Sequence, residues 1–150
     1  MTSSSDQFSD VLRGWVKVFM RRNGQDYKHF MDESGLSFSQ VNTLMRLHFA
    51  GQADISDISE QMGITKAAAS QLVEQMVRLG LLDRIPDPID RRIKRLALTP
   101  KGHALAEKLV DMQRKWVEQF TDSLTSRQRE AISDALQVMT DAARNIDTKN

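Results

Sequence analysis

The sequence predicts a mainly α-helical fold carrying one small β-hairpin. Apolar residues recur at helical spacing along most of the chain, with charged residues between them. One short stretch, residues 82–98, breaks that period, holds two of the three prolines and ends in alternating apolar and basic residues. Seven glycines and three prolines in 150 residues leave little room for a turn-rich all-β sandwich. The length suits one domain, or one domain with oligomerisation arms, and is short for an α/β barrel or most two-domain enzymes.

The elements follow in order. Over residues 6–31, Phe8, Val11, Leu12, Trp15, Val16 and Phe19 mark an amphipathic helix, interleaved with Arg13, Lys17 and Arg21. Ser37 and Gln40 then make a capping box, and Leu36 and Val41 a hydrophobic staple, so a second helix covers about 38–49 and ends at Gly51. Asp54 is the N-cap of a short helix over 55–62, stopped by Gly63. Thr65 caps a longer one that ends near Leu79, with Gly80 as the residue after the cap. Residues 82–85 and 93–98 read as the two strands of a hairpin around the turn Pro86-Asp87-Pro88-Ile89-Asp90. Thr99-Pro100 opens a helix to about residue 122, with the stripe Ala104, Leu105, Leu109, Met112, Trp116 and Phe120. Thr125 and Gln128 form another capping box, before a last helix holding Ile132, Leu136, Met139 and Ala143.

The three outer helices are long for a chain of this size, and the middle third is too small to cover their apolar faces. Those faces are expected to bury one another, in part across a two-fold axis. The expected organisation is a single domain, 1–150, with a lobe over 36–99 set between dimerisation helices at 6–35 and 100–146.

With 40% hydrophobic and 27% charged residues the chain is globular rather than disordered. It has no cysteine, which excludes a disulfide framework, a thiolate zinc site, an iron–sulfur cluster and a cysteine nucleophile. The N-terminus lacks the basic and apolar regions of a secretory signal, and no apolar run approaches a membrane span. A cytoplasmic protein without a membrane partner is the expectation. Net charge is only +1, but it is unevenly placed. Residues 36–62 hold one base, Arg46, against Asp54, Asp57 and Glu60. Residues 84–101 hold Arg84, Arg91, Arg92, Lys94, Arg95 and Lys101 against Asp87 and Asp90. A near-neutral chain with one basic projection can still bind a polyanion.

The stretch 55–72 has helix-turn-helix spacing. Ile58, Met62 and Ile64 occupy its buried positions, Ser59 the helix crossing and Gly63 the turn. Winding the second helix puts Ala69, Leu72, Val73 and Met76 on one face. Ala67, Gln71, Glu74 and Arg78 fall opposite, flanked by Ser70 and Gln75. A recognition helix reads bases with its first turns, here Thr65, Lys66, Ala67, Ser70 and Gln71. Gln pairs bidentately with adenine, Ser serves either role, and Ala touches a thymine methyl. Lys66 and the N–H groups near Thr65 suit a phosphate. An ordinary polar surface helix would carry the same residues, so the hairpin is what decides. Arg91, Arg92, Lys94 and Arg95 on a Pro-flanked tip directly after a helix pair make a wing that can grip phosphates or enter a minor groove.

The run Asp90-Arg91-Arg92-Ile93-Lys94-Arg95-Leu96-Ala97-Leu98-Thr99 matches the D-x-R-x-x-x-x-x-L-T signature of the MarR (multiple antibiotic resistance regulator) family. Asp87-Pro88 before it and Gly102 after it fit as well, and the length and element order resemble that family along the whole chain. The resemblance implies a dimeric winged helix-turn-helix transcription regulator, usually a repressor, on a palindromic operator of double-stranded DNA. It implies that Arg92 reaches the minor groove, that Asp90 orients it, and that Leu98 and Thr99 are a core anchor and a helix cap. It also implies a small aromatic or phenolic effector in a cleft between the dimerisation helices and the lobe. Trp15, Phe19, Phe30, Met45, His48 and Phe49 are the candidate lining residues, though residues of these types are more often plain core.

Other classes fit less well. There is no Gly-rich phosphate loop, no H-E-x-x-H and no G-x-S-x-G, so no catalytic residue and no cofactor is expected. His29, His48 and His103 are scattered, so no metal site is expected either. A membrane-surface role for the first helix would leave the winged middle without a task. The remaining alternative is a winged-helix protein-interaction module without specific DNA binding, which weak, salt-insensitive association with DNA would favour.

Overall fold

The computed structural model describes residues 4–90 and 94–147. In chain order it contains α1 (Ser4–Ser34), α2 (Phe38–Ala50), β1 (Gln52–Ala53), α3 (Ile55–Met62), α4 (Lys66–Arg78), β2 (Leu82–Pro86), β3 (Lys94–Leu98), α5 (Pro100–Asp122) and α6 (Ser126–Asp147). The helices begin where the sequence places their caps. Ser37 Oγ accepts from Gln40 N while Gln40 Oε1 accepts from Ser37 N, at 3.3 and 2.9 Å. Thr125 and Gln128 repeat that exchange at the start of α6. At α3 the reciprocal partner of Asp54 is Asp57, at 2.8 and 2.9 Å, so an aspartate stands where a capping box more often has Glu or Gln.

The small sheet departs from the expected two-stranded hairpin. It has three antiparallel strands in the order β1-β3-β2, because Gln52 and Ala53 pair with Ala97 and Leu96. Two residues have no period to read, so β1 left no trace in the sequence pattern. Opposite residues of β2 and β3 share a face: Leu82 with Leu98, Arg84 with Leu96, Pro86 with Lys94. Burial along that face fades from Leu82 and Leu98 at the root to exposed Pro86 and Lys94 at the tip.

One core joins the end of α1, α2, α3, α4, the sheet and the start of α5. Its largest sealed side chains include Phe30, Leu44, Leu47, Ile58, Met76, Leu82, Leu96 and Leu109. α5 enters this core by the stripe its apolar spacing predicts at Leu109, with Leu105 and Met112 packed against the core, but not at Ala104. Ala104 is exposed, and the inward positions are Gly102, Ala106 and Leu109. The cause is Gly102, which lets α5 rest on the backbone between β2 and α4. A Cβ there would come 2.3 Å from the Leu81 carbonyl oxygen and 3.2 Å from Leu98 Cδ2. Lys108 Nζ also reaches Glu33 at 2.8 Å, tying α5 to the end of α1.

The chain divides into two compact units after Met112. In the second, Trp116 and Phe120 stack at 5.7 Å, and Arg129 Nη1 donates to the Thr121 carbonyl across the turn between α5 and α6. Among the described residues of α6 none is buried; Leu136, Val138 and Ile146 are exposed. Phe8, Val11, Val16 and Met20 are exposed along the first half of α1. Among the described residues no helix is long and apolar enough to cross a membrane.

Candidate nucleic-acid interface

The first part of the site is α3, a tight turn and α4. Ile58 and Ser59 are buried where the helices meet, and the Ser59 hydroxyl donates to the Ser56 carbonyl. Gly63 takes φ 61, a left-handed conformation that favours glycine, and Ile64 N then bonds back to the Ser59 carbonyl. Thr65 Oγ1 accepts from Ala68 N at 3.1 Å and so starts α4. Ala69, Leu72, Val73 and Met76 are all buried, as their spacing predicts. Anchoring that face turns Thr65, Lys66, Ala67 and Gln71 outward, all exposed, with Ser70 half-buried beside them. Five sequence-predicted residues therefore share the solvent face of the first turns of one helix.

The acid on that helix is held by a neighbour. Glu74 Oε2 lies 2.9 Å from Arg84 Nη2 on β2, so its charge is partly offset by a cation of the hairpin. Lys101 Nζ donates to the Leu79 carbonyl at 2.8 Å and caps the C-terminus of α4, where the helix dipole favours a cation.

The wing is the second part. Arg91 and Arg92 lie outside the described residues, and so does the expected orientation of Arg92 by Asp90. Lys94 is exposed at the tip end of β3, and Asp90 N donates to Asp87 Oδ1 at 3.1 Å. Arg95, grouped with the tip cations on sequence, belongs elsewhere: its Nε donates to Asp87 Oδ2. Asp87 is only 4% exposed. The Arg95 hydrogen bond, then the N–H groups of Asp90 and Ile89, hold its carboxyl down at about 2. Arg95 is raised in turn, by Asp87 first and also by the fields of Asp54 and Asp57 at the start of α3. Of the six bases in 84–101, Arg84, Arg95 and Lys101 thus serve the fold. Asp87 was read only as a turn former; an aspartate between two prolines at a turn is the signal that it binds its own backbone.

Of the six residues expected to line an effector cleft, two line one cavity among the described residues. Met45 and Phe49 line a cavity of about 630 Å³ between α2 and the α3–α4 turn, together with Tyr27, Phe38, Arg46 and Met62. Phe30 is 1% exposed, sealed in the core, and cannot line it. Trp15 and Phe19 stack on each other at 6.2 Å far up α1. His48 instead meets Phe49 and His103, with ring centroids at 5.2 and 6.0 Å. Helical spacing places Met45 and Phe49 on one face of α2 but cannot say which face of α1 meets it. Arg46 and Tyr27 were not singled out, although Arg46 is the lone base among the acids of 36–62. Its Nε is buried and has no hydrogen-bond partner, and burial raises the Tyr27 hydroxyl.

A helix-turn-helix followed by a β-hairpin, with polar and basic groups exposed on α4, is a winged-helix fold, the class to which many DNA-binding proteins belong. Comparison with known proteins agrees. A sequence model of the MarR family matches residues 34–93, the lobe that carries both parts of the site. The transcriptional regulator TcaR of Staphylococcus aureus is 29% identical over 114 residues, 75% of each chain. The transcriptional repressor IacR of Pseudomonas putida is 24% identical over 138 residues, 91% of this chain and 83% of that one. The crystal structure of the transcriptional regulator Tm0710 from Thermotoga maritima superposes with a TM-score of 0.77 at 25% identity, covering 96% of this chain and 99% of that one. Over residues 34–93 the chain thus resembles the MarR family, and the relatives with which it aligns are transcriptional regulators.

Proposed function

We propose that this chain acts in the cytoplasm as a homodimeric repressor that reads a palindromic operator and releases it when a small aromatic or phenolic ligand binds. The observation that carries the reading is the outward face of α4. Lys66, Ala67, Ser70 and Gln71 project from a helix whose opposite side is fixed in the core, which is how a recognition helix must be held to enter a major groove. Thr65 and Lys66 would position a phosphate; Ala67, Ser70 and Gln71 would read base edges; Arg91, Arg92 and Lys94 would grip the flanking groove. The exposed apolar residues of α1 and α6 support a second copy, since patches of that kind on a small soluble chain mark association surfaces. The cavity beside Met45 and Phe49 supports the ligand. Arg46, with its unpartnered Nε, would hold an anionic or hydroxyl group there, and Met45 and Phe49 the ring. Its walls join α2 to the α3–α4 turn, so an occupant that fits one spacing of two α4 helices better than another would shift operator binding by linkage.

Selection of duplexes from a randomised pool, read by anisotropy at fixed salt, tests this. A two-fold symmetric site is expected. Gln71→Ala should cost about 1–3 kcal/mol at one base position per half-site and relax preference there. Lys66→Ala should weaken every sequence alike and flatten the salt dependence by about one phosphate's worth. Retention of full sequence preference by Gln71→Ala would sink the assignment of α4.

A further inference from the structure

Asp87 and Arg95 stand where the paired strands of the wing end, Asp87 buried and Arg95 partly exposed. β2 ends at Pro86 and β3 begins at Lys94, which pair directly. Asp87 is the next residue after the last paired position on one strand, and Arg95 lies one residue inside the other. The Asp87 carboxylate spans the gap. Oδ1 accepts from Ile89 N at 2.8 Å and Asp90 N at 3.1 Å, which turns the chain back on itself. Oδ2 accepts from Arg95 Nε, which closes the hairpin across the strands. Prolines at 86 and 88 fix φ on both sides, so the departing backbone has little freedom left. The Arg95 guanidinium also lies in the field of Asp54 and Asp57, the capping pair of α3. One cation thus faces acids of the wing and of the helix-turn-helix together.

We propose that Asp87 and Arg95 are positioning residues for DNA reading: the pair fixes the ends of the wing's strands, and with them Lys94, relative to α4, and makes no DNA contact itself. The proposal rests on the DNA-reading function proposed above. Its physical basis is that a charge held at a fixed place recognises a fixed register of phosphates, whereas a mobile charge attracts all DNA alike. The low titration point of Asp87, about 2, accords with a carboxylate whose acceptor sites are filled.

Charge and positioning predict opposite signs, which makes the pair testable. Removing an acid beside a DNA-binding tip raises attraction to phosphate if charge alone matters. The probes are the duplex that the wild-type chain selects best from a randomised pool and a mixed-sequence duplex of equal length. Both are titrated across a salt series against wild type, Asp87→Asn, Arg95→Gln and the double variant. Asp87→Asn should bind the selected duplex about ten-fold more weakly despite its added positive charge, keep its affinity for the mixed duplex, and keep its melting temperature within a few degrees. Arg95→Gln should lose the same preference with an unchanged salt slope, and the double variant should be no weaker than the weaker single one. Tighter or equal binding of the selected duplex by Asp87→Asn overturns the proposal. So does equal loss on both duplexes, or a salt slope for Arg95→Gln reduced by about one phosphate, which would make Arg95 a contact residue. Should Asp87→Asn fail to fold, the slope and preference of Arg95→Gln decide between positioning and contact on their own. A wild-type chain that selects no duplex overturns DNA reading and this inference together; one that selects a duplex while the variants match it overturns this inference only.

Discussion

The 36–99 lobe and two stretches of the outer helices, α6 and the first half of α1, use apolar residues in opposite ways. In the lobe, Leu44, Leu47, Ile58, Val73, Met76, Leu82 and Leu96 are sealed within the chain's own fold. Along α6 and the first half of α1, Val138 at 70% and Phe8 at 58% exposure stand for a row of side chains that the chain itself leaves in water. Both regions show the same helical spacing, so periodicity alone cannot tell a face that completes a core from a face that awaits one. The difference assigns separate tasks. The lobe packs α4, β2 and β3 on one core, and under the proposed function the outer helices set how far apart two such lobes stand.

The largest expected effect comes from removing lobe packing. Leu44→Ala should cost about 2–5 kcal/mol, read from the urea midpoint, because its site cannot collapse around the lost atoms. Leu136→Lys on α6 should change the fold of a single chain by no more than about 0.5 kcal/mol yet shift sedimentation at micromolar concentration toward the monomer mass of 17.1 kDa. Equal losses of stability in the two variants would erase the contrast between the regions. Next comes the junction: Gly102→Ala forces a methyl group against the Leu81 carbonyl and should cost about 3 kcal/mol. Ala104→Gly, two residues on and exposed, should cost only about 1 kcal/mol, the ordinary helix penalty. The smallest effect is confined to the wing and to acid. Asp87 titrates at about 2 in the folded chain against an ordinary 3.8, so its folded value is depressed. The tie it makes is therefore complete above about pH 4 and fades as pH falls toward 2. Amide protection at Ile89 and Asp90, taken relative to the intrinsic exchange rate at each pH, should fall across that window in wild type and show no such step in Asp87→Asn.

Most of the fold was legible because its boundaries are written in local chemistry. Ser37 with Gln40, Asp54, Thr65, Thr99-Pro100 and Thr125 with Gln128 each name a helix start by side-chain hydrogen bonds that span three residues. The outward face of α4 was legible for the same reason, since four anchors at helical spacing fix the opposite side. What escaped depends on contacts between distant segments. β1 exists only because Ala53 meets Leu96. Gly102 is a packing residue only because Leu81 passes over it. The cavity residues Tyr27 and Arg46 come from different helices, and Arg95 changes from a tip cation to a strap only once Asp87 is folded beneath it.

The two-residue strand β1 also governs the order in which the lobe can assemble. Its pairing of Gln52 with Ala97 encloses α3, α4 and β2 in one long loop, and β3 is the last strand of the sheet to leave the ribosome. α4 can wind locally and the hairpin can zip locally, but closing that loop costs chain entropy before the burial of Ala53 and Leu96 returns it. A nascent chain that has reached Pro88 holds all of α4 and none of β3. The outward face of α4 is therefore present early as sequence, but the sheet beneath it closes only after residues 94–98 have been added.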